Sequence, residues 1–144
     1  MKYEECRKQA IADLTQYKYL KSSITVLAKQ LQLMRLISAD NMDNNQNNEH
    51  LQPYTQQASQ IKETIRQNKV RIQCIEHAIA ALPQKDRDNL NAFYINRYRN
   101  SVKEMARKEY TDRSTLYRRA QRSVDKYIFA YFGVTPPSCK QPYK

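Results

Sequence analysis

Residues 101–133 read SVKEMARKEYTDRSTLYRRAQRSVDKYIFAYFG. The first four have the S-x-x-E spacing of a capping box, in which both side chains satisfy free backbone amides at a helix start. This spacing predicts a short helix from Val102 to Glu109. A longer helix is predicted from Arg113 to Phe132, because Asp112 is suited to cap its start and Gly133 to stop its end. Two helices joined by so short a turn are typical of a helix-turn-helix.

Helical spacing divides this pair of helices into an inward and an outward face. The inward positions are Val102, Met105 and Ala106 on the first helix, and Leu116, Ala120, Val124 and Tyr127 or Ile128 on the second. The outward face of the second helix carries four arginines between residues 113 and 122 and no acidic residue. An ordinary solvated face is the alternative interpretation, but the succession of cap, tight turn and second cap favours a DNA-binding face.

Arginine pairs with guanine or phosphate, and hydroxyl groups bond phosphate or base edges. The candidate DNA contacts are therefore Arg113, Ser114, Thr115, Tyr117, Arg118 and Arg122. Candidates for the phosphate backbone, where the first helix of such a motif crosses DNA, are Ser101, Lys103, Arg107, Lys108 and Arg119. For Tyr117, simple exposure is weighed equally with a DNA contact.

The charge of the chain supports a polyanionic partner. The formal net charge is +11, and residues 83–144 hold 14 basic and 6 acidic side chains, against 11 and 8 in residues 1–82. Most of the excess positive charge therefore belongs to the C-terminal part, as expected for a nucleic-acid-binding module.

Several other classes of protein are disfavoured. The single glycine excludes glycine-dependent phosphate loops, and the two histidines are too few and too separated for a convincing metal site. Three scattered cysteines fit neither a disulfide framework nor a zinc ribbon. The sequence thus predicts a cytoplasmic protein with reduced thiols and no membrane span, catalytic residue, cofactor or metal.

Residues 1–82 are predicted to form a long, coiled-coil-like helical hairpin. Apolar residues recur at heptad spacing in a helix from about Tyr3 to Ile37 and again after Pro53. The asparagine-rich stretch 38–53 is expected to be a flexible loop. The two helices should pack together within one chain or pair between subunits, and a homodimer is expected. The predicted oligomerisation residues are Ile61, Ile65, Asn68, Ile72, Ile75 and Ile79.

Asn68 is the one polar residue in the seam of the second helix. It either specifies a register or an oligomer by finding a partner, or it is simply solvated or locally bonded. The pattern favours neither interpretation over the other.

A third helix is predicted from Gln84 to Arg99, because Leu90, Phe93, Tyr94 and Tyr98 recur at helical spacing. The expected fold is therefore all-α. A hairpin over residues 1–82 is followed by a three-helix DNA-binding module over 83–134 and a disordered tail over 135–144.

A pattern from Ala81 to Tyr127 resembles region four of bacterial sigma factors. Its elements are A-L-P-x-x-x-R, L-x-x-F-Y, S-V-x-E-M-A and R-S-T-L-Y-R-R-A-x-R-S-V. The sequence departs from that family at the turn near Tyr110, where a glycine is common. It also departs at Glu109 and Arg119, where apolar residues are frequent, and at Thr111, where an aliphatic residue is common.

The plan of the whole chain resembles phage late-gene transcription regulators of the RinA and ArpU type. The resemblance implies an activator that binds double-stranded DNA in a bacterial host cell and that acts with RNA polymerase. The alternatives are a small-terminase-like subunit that recognises DNA for packaging, and a helical interaction module that does not bind DNA.

Overall fold

The computed structural model describes residues 2–44 and 52–137. Every regular element within these ranges is helical, which confirms the all-α class. The helices are α1 (Tyr3–Asn44), α2 (Gln52–Ala80), α3 (Gln84–Leu90), which continues into a π-helical segment (Asn91–Ile95), α4 (Ser101–Lys108) and α5 (Arg113–Phe132). No described helix is both long and apolar enough to cross a membrane.

Helices α1 and α2 pack as a hairpin within one chain, as one of the two predicted arrangements requires. Residues Tyr19–Ile72 of the hairpin form one compact unit. Leu20, Leu31 and Ile72 are buried there, and Asn68 Nδ2 donates a hydrogen bond to Ser23 Oγ over 3.0 Å. The lone amide of the α2 seam thus has its partner on the facing helix.

The expected flexible loop over residues 38–53 is wrong at both ends. Helix α1 continues through Asn44, and α2 already begins at Gln52; residues 45–51 lie outside the described part of the chain. Residues 38–44 contain neither glycine nor proline, so nothing in the local backbone stops the helix where its apolar stripe ends.

A second compact unit combines the described residues up to Lys18 with those from Gln73 onward. Its core includes Leu14, Ile75, Leu90, Leu116 and Ile128, all fully buried. The base of the hairpin, formed by α1 up to Lys18 and α2 from Gln73, therefore packs with the C-terminal helices. The compact unit thus does not begin at the predicted boundary after residue 82.

Polar contacts join the helices of this second unit. The Tyr3 hydroxyl donates to Asp125 on α5, and the Arg7 guanidinium lies 3.4 Å from the same carboxylate. Between α1 and α2, Tyr17 donates to Glu76 over 2.7 Å. Burial, followed by this hydrogen bond, raises the pKa of Tyr17 to about 12.

The third helix is shorter than predicted, since its helical geometry ends at Ile95 and residues 96–100 lie outside any helix. In its last turn the amide of Asn96 donates to the carbonyl of Asn91 over 2.9 Å. This bond spans five residues, whereas an α-helical bond spans four. The widened turn leaves the carbonyl of Ala92 without the Asn96 amide that an α-helix would supply.

Candidate nucleic-acid interface

Helices α4 and α5 form the predicted helix-turn-helix pair. Phe93, Val102, Leu116 and Ala120 make a buried cluster, and Met105 and Ala106 are partly buried against it. Further along α5, the side chains that face the core are Val124, Tyr127 and Ile128, all with no exposed surface. The inward positions predicted for both helices are confirmed.

The capping box predicted at the start of α4 is wrong, although the helix does begin at Ser101. Asn100 occupies the N-cap position and makes no side-chain cap. Ser101 is only 4% exposed, and its Oγ lies 2.8 Å from the carbonyl of Ala92 and 3.0 Å from that of Tyr98. The Glu104 carboxylate accepts from the Tyr98 hydroxyl. A buried Ser101 hydroxyl cannot reach a phosphate, so it does not belong to the interface.

The turn between α4 and α5 is a Schellman motif. The amide of Thr111 donates to the carbonyl of Ala106 over 3.0 Å, and that of Tyr110 points to the carbonyl of Arg107 at 3.4 Å. This motif requires a left-handed residue at its centre, which is usually glycine. Here Tyr110 holds that conformation with φ 52°, and its side chain is 98% exposed.

Both ends of α5 are set as predicted. Asp112 has extended φ and ψ angles, and its carboxylate accepts from the Thr115 amide over 2.9 Å. This hydrogen bond lowers the pKa of Asp112. At the other end, Gly133 is left-handed with φ 71°, and its amide donates to the Phe129 carbonyl over 2.9 Å. The helix bounds are therefore fixed by local chemistry.

The outward surface of α5 carries the predicted base-contact residues, here called the basic face: Arg113, Ser114, Thr115, Tyr117, Arg118 and Arg122. All are exposed except Thr115, which is half-buried and whose amide is taken by the Asp112 cap. Within the described ranges, Arg113, Arg118 and Arg122 make no hydrogen bond or ion pair. Their guanidinium groups are therefore available to an external anion.

Tyr117 lies at the border between the basic face and the core. Its side chain is 44% exposed, and its ring meets that of Phe93 edge-on, with centroids 5.0 Å apart and planes at 76°. Such an edge-to-face contact holds the ring in place. Tyr117 is thus packed against Phe93 on one part of its ring and exposed on the rest.

The predicted backbone contacts on α4 are Lys103, Arg107 and Lys108, and all three are exposed. Arg119 on α5 is also exposed, but its Nη1 pairs with the Glu109 carboxylate at 3.2 Å. Glu109 and Arg119 are two positions at which the sequence departs from the sigma-like pattern. The structure brings these two departures together as an ion pair between the turn and α5.

Sequence reasoning missed a buried polar network between α3 and α5. The Ser123 hydroxyl donates to Asp86 over 2.8 Å and accepts from Asn89 Nδ2 over 3.2 Å, while Lys126 Nζ pairs with Asp86 at 2.9 Å. Asp86, Asn89 and Ser123 are all buried. The sequence feature that could have indicated this network is Ser123, a polar residue among the inward-facing positions of α5.

Comparison of the chain with protein-family models, with curated proteins and with solved structures gives no match.

Proposed function

We propose that this protein is a sequence-specific double-stranded DNA-binding transcription regulator. On this proposal it acts in the cytoplasm of a bacterial host as a phage or prophage late-gene activator, as a homodimer and together with RNA polymerase. Three features support this proposal: the basic C-terminal part of the chain, the helix-turn-helix pair and the sigma-like residue pattern.

One observation carries the DNA-binding part of the proposal. Arg113, Arg118 and Arg122 lie on the exposed side of a helix whose opposite side is buried, and within the described residues they make no hydrogen bond or ion pair. A rigid helix that presents several free guanidinium groups fits a major groove, where arginine recognises guanine through two parallel hydrogen bonds. Lys103, Arg107 and Lys108 add positive charge on the preceding helix, where such a motif contacts phosphates.

The decisive experiment selects bound fragments from a random duplex pool and then measures the affinity of the selected site. Arg118→Ala should weaken binding to that site by about 1–3 kcal/mol and relax the preference at one base pair, if the side chain pairs with guanine. Arg35→Ala removes the same charge from an exposed position on α1 and serves as the matched control. Equal loss on all duplexes would reduce Arg118 to a phosphate contact.

The outcome also separates the alternatives. Recovery of no preferred sequence, together with no salt-dependent duplex binding near physiological salt, would contradict the proposal and favour a protein-interaction module. Each phosphate contact should add about −0.9 to the slope of log affinity against log salt concentration. Ring-shaped assemblies in solution would instead favour DNA packaging.

A further inference from the structure

A cleft of about 470 Å³ lies beside the basic face, between the start of α3 and the middle of α5. Its lining includes six ionisable side chains, four basic and two acidic: Lys85, Asp86, Glu109, Arg119, Arg122 and Lys126. Of these, Lys85 and Lys126 belong to none of the surfaces predicted from the sequence.

The basic side chains converge on this cleft because of helix geometry. Arg119, Arg122 and Lys126 follow one another at steps of three and four residues, so they share one side of α5. Lys85 approaches from α3. The Asp86–Ser123 hydrogen bond, 2.8 Å long and buried, ties α3 to α5 and so fixes the two walls relative to each other.

Both acidic side chains of the cleft already have partners. The Asp86 carboxylate takes Lys126 Nζ at 2.9 Å and the Ser123 hydroxyl, and Glu109 takes Arg119 at 3.2 Å. Lys85 and Arg122 make no hydrogen bond or ion pair with any residue in the described ranges. The cleft therefore carries two uncompensated positive charges, which approximately match the charge of one phosphate group.

We propose that this cleft binds a phosphate group. The same chemistry is offered by a phosphate of a DNA backbone and by a free polyphosphate or nucleotide. Arg122 lines the cleft and also belongs to the basic face, so a duplex lying on α5 would bring a backbone phosphate to the cleft. Binding of a DNA phosphate therefore rests on the proposed function. Binding of a free polyphosphate or nucleotide does not depend on it.

The first measurement titrates the ¹⁵N-labelled full-length protein with inorganic pyrophosphate and follows the amide shifts around Lys85 and Asn89. Lys85→Gln removes a charge from the cleft without removing any contact within the described chain. It should weaken pyrophosphate binding by up to about fivefold, the upper limit expected for one exposed charge contact. Lys69→Gln, which removes the same charge from α2 outside the cleft, should leave this affinity unchanged.

The second measurement is the salt dependence of binding to the selected duplex. If a backbone phosphate occupies the cleft, Lys85→Gln should reduce the magnitude of the slope by about 0.9 relative to Lys69→Gln and keep the sequence preference. An effect on the duplex alone identifies the DNA source, and an effect on pyrophosphate alone identifies the free source.

The proposal is overturned if Lys85→Gln matches Lys69→Gln in both measurements. If the wild-type protein binds no duplex but takes pyrophosphate in a Lys85-dependent manner, the proposed function fails while the phosphate site stands. The two failures are therefore distinguishable.

Discussion

Tyr110 holds a left-handed backbone conformation, with φ 52°, at the centre of the turn that aims α5. For a residue with a Cβ atom this conformation costs about 1–2 kcal/mol, whereas glycine adopts it freely. The nearly complete exposure of the side chain means that little packing compensates for the strain.

We expect Tyr110→Gly to raise the free energy of unfolding by about 1 kcal/mol, because the strain is removed and no buried contact is lost. Tyr110→Asn should gain less, and the β-branched Tyr110→Val should lose stability. Urea unfolding of the four proteins gives the order directly. An order in which Val equals or exceeds Gly would show that the turn does not hold its left-handed residue in solution.

Asp112 makes the stability of α5 depend on pH. Its hydrogen bond with Thr115 holds the pKa of the folded carboxyl below its ordinary value of 3.8. A lowered pKa stabilises the fold above the unfolded value, and this contribution is lost as the pH falls through the folded value.

We therefore expect the wild-type protein to be more stable than Asp112→Asn at neutral pH and to lose this extra stability as the pH falls below about 4. The asparagine cap carries no charge, so its contribution should not change over this range. Thermal unfolding of both proteins at a series of pH values measures this difference. A difference that stays constant from neutral pH to acid would contradict a charged cap at Asp112.

Among the elements, the junction between the π-helical segment and α4 depends on one buried hydroxyl. Ser101→Ala leaves the Ala92 carbonyl without its partner and should lower the free energy of unfolding by about 1–3 kcal/mol. Ser101→Asp should be worse still, since it places a buried charge beside two carbonyl oxygens. Urea unfolding measures both, with the exposed Ser114→Ala as control.

The same stability comparison also tests whether Ser101 is the N-cap of a capping box. If Ser101 were an N-cap, aspartate would replace it with little loss, because both side chains cap helices well. Equal stability of Ser101→Asp and wild type would therefore restore the capping box.

The elements differ in how far their sequence predicts them. Helix α5 is predictable to the residue because Asp112 and Gly133 act on their own neighbours along the chain. The end of the third helix cannot be predicted in this way, because its widened turn accompanies a contact between Ala92 and Ser101, nine residues apart. The S-x-x-E pattern could not distinguish a capping serine from a buried one, because both start a helix.

The same distinction holds for the candidate site. Helical periodicity was sufficient to predict which α5 residues point outward, because the opposite arc is apolar. It could not place Lys85 beside Arg122, since that neighbourhood depends on how α3 packs against α5. Nor could it pair Glu109 with Arg119 across the turn.

At the scale of the whole molecule, the proposed homodimer needs a surface other than the one first predicted. Ile72 and Ile75 are buried within the chain, and Ile61, Ile65, Asn68 and Ile79 are partly buried. Their substitution should therefore first destabilise the hairpin. Helix α1 has a second apolar stripe at heptad spacing, Tyr19, Val26, Leu33 and Ile37, whose side chains are 75%, 52%, 60% and 47% exposed.

We expect this second stripe to pair with its copy about a two-fold axis, because such pairing covers apolar side chains that the hairpin leaves exposed. Light scattering at micromolar concentration should then give twice the chain mass of 17.1 kDa. The double substitution Val26→Lys and Leu33→Lys should give the monomer, with helicity unchanged by circular dichroism, because both positions are exposed.

Thr25→Lys with Gln32→Lys adds the same charge at the same seven-residue spacing on exposed polar positions of α1 and should leave the dimer intact. A monomeric wild type would remove the homodimer from the proposal, and a dimer that survives the substitutions at Val26 and Leu33 would place its interface elsewhere.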